Sequence, residues 1–179
     1  MKFKSVLYDA DTLNRSIKRI AHEILENTDD PEKLCLVGIK TRGVPFAQRL
    51  SECIEKIEGI KVPVGILDIT LYRDDLKENA LTEPEISATD IGFDTEGKEI
   101  ILTDDVICTG RTVRAALSAL LKMGRAEKIK LAAIVDRGHR ELPIRPDFVG
   151  KNIPTSKSEL IKVLLSETDG KDSIELYEK

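Results

Sequence analysis

Nowhere does this sequence hold an apolar run approaching the roughly 20 residues that a membrane-spanning helix needs. The N-terminal stretch MKFKSVLYDAD also lacks the apolar region of a secretory signal. Cysteine is scarce, with Cys35, Cys53 and Cys108 only, an odd number with no two at metal-ligand spacing. That argues against a disulfide framework or a cysteine metal site, and predicts reduced thiols in the cytoplasm. Internal repeats, low-complexity tracts and interdomain linkers are missing too. Nor is there an excess of positive charge. The formal net charge of −4 does not favour wholesale nucleic-acid binding, though it leaves room for a local basic face. What is present is 179 residues, 41% hydrophobic and 34% charged, which suits one globular domain spanning 1–179 with a full core.

The most informative stretch is Lys98 to Thr112, KEIILTDDVICTGRT. Ile100, Ile101 and Leu102 form a short apolar run, as in a strand buried on both faces. Asp104 and Asp105 follow, expected to face solvent where that strand leaves the core. Val106 to Thr112 is then a turn rich in small and hydroxyl residues, before the helical pattern RTVRAALSALLKMG. A strand, a tight turn and a helix start collect free backbone N–H groups and the positive end of the helix dipole at one spot, which is an anion site. Gly110 lets the backbone come close, and Thr109 and Thr112 add hydroxyl donors. Two carboxylates would repel a phosphate, but they suit a neighbouring sugar diol or a metal held by that diol. An apolar strand, two acids and a TG-containing turn resemble the phosphoribosyl diphosphate (PRPP) signature of type I phosphoribosyltransferases. Thr103 departs from that pattern, which usually has an aliphatic residue there.

In chain order, Phe3 to Tyr8 reads as a strand or arm, and Asp11 or Thr12 caps a helix running to about Asn27. Leu13, Ile17, Ile20, Ala21, Ile24 and Leu25 share one face of it. Arg15, Lys18, Arg19 and His22 make a basic stripe on the other side, ending at Asn27, where a further basic residue would have extended it. Leu34 to Ile39 is a buried strand, followed by the basic turn Lys40-Thr41-Arg42-Gly43 and a helix to about Lys56. Two anion-binding turns suit a substrate with phosphates at both ends. Val62 to Thr70 reads as a third strand. Leu71 to Asp90 is too long and polar for a routine connection and reads as a lid or binding loop. Ile129 to Val135 is another buried strand, ending at Asp136. Asp136 to Asn152 gathers Arg137, His139, Arg140, Arg145 and Lys151, with two prolines that prevent a long helix. Leu160 to Leu165 and Ile174 to Tyr177 read as strands around a turn at Asp169-Gly170. Alternating strands and helices predict an α/β fold with a central, mostly parallel sheet, under a small strand-rich hood supplied mainly by the C-terminal third.

Taken together, RIAHE (19–23), VGIKTRG (37–43), DITLYRDDL (68–76), DDVICTGRTVRAAL (104–117) and VDRGHRELPIRPDFVGKNIPTSKSE (135–159) resemble one family over nearly the whole chain. It is the bifunctional pyrimidine-operon attenuator and uracil phosphoribosyltransferase family, PyrR. The last segment is the most specific, because general phosphoribosyltransferases do not share it.

That resemblance implies transfer of phosphoribosyl from PRPP to uracil, giving UMP and diphosphate, with Mg²⁺ bound through PRPP rather than by a metal cage of the protein. It makes Asp104, Asp105 and Arg42 the catalytic group. The 5′-phosphate falls to Val106, Ile107, Cys108, Thr109, Gly110, Arg111 and Thr112, and the diphosphate to Lys40, Thr41, Arg42 and Gly43. A non-proline cis peptide is expected at Lys40–Thr41 or Thr41–Arg42. Closure of Leu71 to Asp90 would bring Arg73 to the diphosphate. Arg137 and His139 are the implied base contacts. Hypoxanthine-guanine enzymes resemble the signature but carry an aspartate at the position of Cys108, and a cysteine cannot supply that carboxylate; adenine enzymes also lack that acid. A purine salvage enzyme without RNA binding is therefore the weaker alternative. The resemblance also implies an RNA-binding regulator that attenuates transcription of pyrimidine genes and senses UMP or UTP. Arg15, Lys18, Arg19, His22, Arg140, Arg145 and Lys151 would form one exposed face for an mRNA leader hairpin. A homodimer or higher homo-oligomer is expected.

Overall fold

The computed structural model describes residues 1–69 and 91–179. Arg73 and the expected lid, Leu71 to Asp90, lie outside the described residues.

Strand β2 (Leu34–Ile39) is apolar throughout and buried at every position, as the sequence predicts. It lies inside a five-stranded parallel sheet with β3 (Val64–Leu67), β4 (Glu99–Ile107), β5 (Lys128–Asp136) and β6 (Phe148–Asn152), in the order β3-β2-β4-β5-β6. Side chains alternate between two cores. Leu34, Leu36, Ile101, Ala132 and Ile134 face α1 (Ala10–Glu26) and α2 (Gly43–Glu58) on one side. Cys35, Val37, Ile39, Ile100, Leu102, Leu131 and Ala133 face α3 (Arg111–Leu120) on the other.

The small sheet is antiparallel, in the order β1-β8-β7, from β1 (Lys2–Tyr8), β7 (Glu159–Leu164) and β8 (Ser173–Glu178). A single helical turn, α4 (Ser166–Asp169), joins β7 to β8, with Gly170 left-handed at φ 73°. The N-terminus thus supplies one strand of the expected C-terminal hood. Ile161, Val163, Leu165 and Ile174 bury against the same core as α1 and α2, so hood and sheet share apolar packing.

Four details differ from expectation, each for a local reason. The cap of α1 is Asp9, not Asp11 or Thr12, because Asp9 alone is extended (φ −81°, ψ 176°) and its carboxylate accepts the Thr12 N–H at 2.9 Å. Helix α3 ends at Leu120, ahead of the expected Gly124, where Leu121 and Met123 find no core to join and are exposed. Strand β4 runs on through both acids to Ile107, because residues up to Ile107 still pair with β5. Strand β6 escapes a sequence reading because Gly150, Lys151 and Asn152 carry no apolar pattern. The backbone decides it: a Cβ on Gly150 would sit 2.4 Å from the Ile134 carbonyl oxygen, so only glycine lies this close to β5.

Candidate active site

After β2 the chain turns to one side, to β3, and after β3 it crosses back to β4 on the other. In an open parallel sheet, such a reversal leaves a crevice beyond the strand ends where ligands bind. The turns after β2 and β4 flank that crevice, and they are the two anion-binding turns expected from sequence.

The turn after β4 is built from backbone. Gly110 is left-handed (φ 92°) and sets α3 off at Arg111. With Asp104 and Val113, the residues Val106, Ile107, Cys108, Thr109, Gly110 and Thr112 line a cavity of about 50 Å³ at the helix N-terminus. Arg111 pairs with Glu141 at 2.7 Å. The acids sit deeper than predicted. Asp104 is only 7% exposed, not solvent-facing, and its carboxylate accepts the Asp105 N–H at 3.0 Å. Burial pushes the Asp105 carboxyl up from the ordinary carboxylate value, against the Val106 amide and the Arg42 charge, which hold it down. The extension of β4 explains the burial, because ladder pairing to β5 keeps Asp104 inside the sheet.

The turn after β2 is built from charge. A cis peptide joins Lys40 to Thr41. Lys40 Nζ lies 3.4 Å from Asp68. Arg42 forks onto Asp169 of the hood, Nε to Oδ2 at 2.9 Å and Nη2 to Oδ1 at 2.7 Å. Seven residues on and along α2, Arg49 binds Glu167 and Asp172 at 2.7 Å each and the Ser166 hydroxyl at 2.9 Å. These pairs hold Asp169, Glu167 and Asp172 below the usual carboxylate range. Sequence reading missed this clamp. Its only signal was two arginines two helical turns apart and an acid-rich SETDGKD turn far along the chain.

The basic turn packs tightly against its own strand and against β4. A Cβ on Gly43 would lie 2.3 Å from the Thr103 carbonyl oxygen, and one on Gly38 would lie 2.5 Å from Val44 Cα. Thr103, the departure from the family pattern, is fully buried and donates its hydroxyl to the Gly43 carbonyl at 2.8 Å. It stitches the basic turn to the strand that carries the acids.

The segment after β5 is tied to the turn after β4. Asp136 accepts the Gly138 N–H at 2.9 Å and the Arg140 guanidinium at 2.5 Å. Arg140 also donates to the Cys108 carbonyl at 2.7 Å and the Ile144 carbonyl at 2.6 Å. Expected on the RNA face, Arg140 is instead turned inward, because three acceptors from two segments converge on its fork. Arg137 is buried, with its Nε lacking a hydrogen-bond partner among the described residues. His139, at φ 62°, sets Nε2 2.7 Å from the Thr155 carbonyl.

Of the remaining basic residues, Arg19 bridges α1 to β6, whereas Lys18 lines a hollow with Arg49 and Lys56 on the α2 side. Arg15, Lys18, Arg19 and His22 are exposed on α1. Arg19 pairs with Glu23 and reaches over to the carbonyls of Val149 (2.7 Å) and Gly150 (2.8 Å) in β6. Beside them Lys151 lies 4.9 Å over the Tyr8 ring. Arg145 is exposed and lines a hollow with Val149, Asn152 and Arg140.

No three His, Cys, Asp or Glu side chains converge on a metal position among the described residues. The acid pair offers two carboxylates. That donor set suits a hydrated, hard divalent cation arriving on substrate oxygens. No described helix is long and apolar enough to cross a membrane.

Residues 5–166 match the phosphoribosyl transferase domain family. Among curated proteins, the chain is 56% identical over 179 residues to the bifunctional protein PyrR of Thermus aquaticus, covering 100% of this chain and 98% of that protein. It is 52% identical over 179 residues to bifunctional protein PyrR of Clostridium novyi, covering all of both. Among solved structures, hypoxanthine phosphoribosyltransferase of Trypanosoma cruzi superposes with TM-score 0.75 at 16% identity, over 98% of this chain and 97% of that one. The Staphylococcus aureus enzyme of that name gives TM-score 0.69 at 20% identity, over 89% and 82%. At that identity the likeness speaks for the fold alone.

Proposed function

The chain belongs to the PyrR family of phosphoribosyl transferases, and on that premise we propose how its crevice divides the substrates of uracil phosphoribosyl transfer and where its RNA-binding, regulatory activity resides. The carrying observation is the meeting, at the β2 and β4 strand ends, of a turn built on cationic side chains and a turn built on backbone amides, with an acid pair between them.

The backbone turn Val106–Thr112 takes the 5′-phosphate of PRPP. Asp104 and Asp105 take the ribose diol. Lys40, Thr41, Arg42 and Gly43 take the diphosphate. The transition state carries positive charge at the anomeric carbon and growing negative charge on the departing diphosphate. The protein therefore supplies fixed charge aimed at the leaving group rather than a nucleophile. Asp104 and Asp105 would hold the hydrated Mg²⁺ that comes with PRPP, and that ion would neutralise charge on the diphosphate. The segment Asp136–Arg140 reads uracil, with Arg137 and His139 nearest at hand. Cys108 leaves the site without the carboxylate that hypoxanthine-guanine enzymes use, which argues against salvage of those purines.

The basic residues of α1 and β6, with Arg145, take a leader-type RNA hairpin. Arg140 links the phosphate turn at Cys108 to the loop that carries Arg145. UMP in the crevice thus has a physical route to that face, and linkage requires RNA to tighten UMP by the same factor. A cytoplasmic homo-oligomer fits the family.

Turnover of PRPP with uracil, guanine, hypoxanthine and adenine tests the enzyme reading; turnover with a purine and none with uracil overturns it. Hairpin binding with and without UMP tests the regulator. Arg145→Gln should weaken it and flatten its salt dependence while uracil turnover holds. Equal hairpin affinity in wild type and variant would remove Arg145 from the RNA face.

A further inference from the structure

Arg42 has five N–H donors in a rigid fork. Nε and one hydrogen on Nη2 are taken by Asp169. Among the described residues, both hydrogens of Nη1 and the second on Nη2 stay unspent, on the edge away from Asp169. The carboxylate is itself immobilised. Its Oδ2 accepts the Leu165 N–H at 3.0 Å, and the Asp169 N–H returns to the Leu165 carbonyl at 2.7 Å. The turn around it is closed by Ser166 N–H to Asp172 at 2.7 Å and pinned to α2 by Arg49. A chain of polar contacts therefore runs from Arg49 through the α4 turn to Asp169 and on to Arg42. The Arg42 and Asp105 charges also stabilise each other.

The geometry points to Asp169 as a positioning residue for the transferase. It holds the guanidinium so that its free edge presents to the departing diphosphate. This rests on the reading that the Lys40–Gly43 turn binds diphosphate. A tether for the hood is an insufficient account of the pair. Arg49 already ties the same turn with two carboxylates and a hydroxyl, and the hood shares the α1/α2 core. What the Arg42 fork adds is orientation. Arg42 stands at the start of α2 with no side-chain capping bond of its own to fix it. Without Asp169 its long side chain samples many rotamers, and diphosphate must order them on binding.

The test is calorimetric binding of inorganic diphosphate with Mg²⁺ to the full chain, beside steady-state kinetics with uracil and PRPP. Asp169→Ala and Asp169→Asn should each weaken diphosphate binding about tenfold and raise the KM for PRPP, with kcat changed less, as expected when a pre-aimed charge clamp loses its orientation. Asparagine keeps an acceptor for the Leu165 N–H, so that variant retains the turn should the alanine variant fold poorly. Arg42→Ala should weaken binding at least as much, and adding Asp169→Ala to it should cost nothing more. Diphosphate affinity equal to or tighter than wild type in both Asp169 variants overturns the proposal; tighter binding would make Asp169 a competitor that diphosphate displaces. Full additivity with Arg42→Ala overturns it as well. An Arg42→Ala variant that binds diphosphate normally overturns the diphosphate reading of the turn and the proposal with it, a result distinct from failure of the Asp169 variants alone.

Discussion

The two turns proposed to bind the ends of PRPP are built by opposite means. The turn after β4 uses backbone amides, a left-handed glycine and hydroxyl side chains within Val106–Thr112, with the one cation there, Arg111, paired to Glu141. The turn after β2 uses a guanidinium aimed by a carboxylate 127 residues away. A turn made of amides takes its direction from the strand and helix that flank it, and contacts from residues 140–142 to the Cys108 and Thr109 carbonyls brace it further. A turn made of long cationic side chains has charge but no direction until something orders it. The difference suits the chemistry. The 5′-phosphate stays put through the reaction, whereas the diphosphate gains charge and leaves.

The acid pair between the turns should show the largest effect. Replacing Asp104 and Asp105 together by asparagine removes two charge-assisted contacts worth about 1.5–3 kcal/mol each, so kcat/KM should fall by about two to four orders of magnitude. Asp104 is buried, so thermal melting should accompany the kinetics. Near wild-type turnover in a folded double variant would unseat the acids from their role.

Next in size is the close approach that locks the basic turn onto β4. Gly43→Ala places a methyl 2.3 Å from the Thr103 carbonyl oxygen and should cost about 1–3 kcal/mol in urea unfolding by overpacking against backbone. Gly110→Ala meets only ordinary contacts at Leu142 and Ile144 but must hold φ 92°. It should cost about 1–2 kcal/mol from backbone strain alone. If Gly110→Ala proved the more harmful, the basic turn would not be the more tightly interlocked of the two.

The smallest effect concerns the clamp behind the basic turn. Arg49→Ala should cost about 1–2 kcal/mol near neutral pH, less than a fully buried pair because Glu167 is half exposed. Arg49 holds Glu167 and Asp172 below their ordinary values. Their contribution is therefore present above the ordinary carboxylate range and lost as pH falls through the lowered values. Wild type should lose melting temperature on acidification more steeply than Arg49→Ala. Parallel pH profiles would show that the clamp adds no linked stability.

Much of this could be read from the chain. Strands β2 and β5 stand out as apolar runs, and α1 declares its core face and basic stripe by spacing alone. The cis bond at Lys40–Thr41 is at one of the two places the family resemblance marks. Other features were hidden for physical reasons. Strand β6 has no apolar alternation to announce it. Asp104 reads as a solvent-facing acid because a carboxylate after an apolar run normally marks a strand end, yet pairing with β5 carries the strand past it. Arg140 looks like one more surface cation in a basic cluster until the carbonyls of Cys108 and Ile144 are seen converging on it.

By itself the sequence determined the chemistry available at each strand end. A helix N-terminus, its glycine and its hydroxyls lie within a few residues of one another, and local backbone geometry forces them together. It equally determined the alternation of strand and helix that makes a parallel sheet. The tertiary structure alone decided direction and depth. It chose which carboxylate aims Arg42, how far inside the sheet Asp104 lies, and that the N-terminal strand β1 completes the hood. Those outcomes depend on packing between segments far apart in the chain. An arginine can reach many carboxylates, so only the assembled fold selects one.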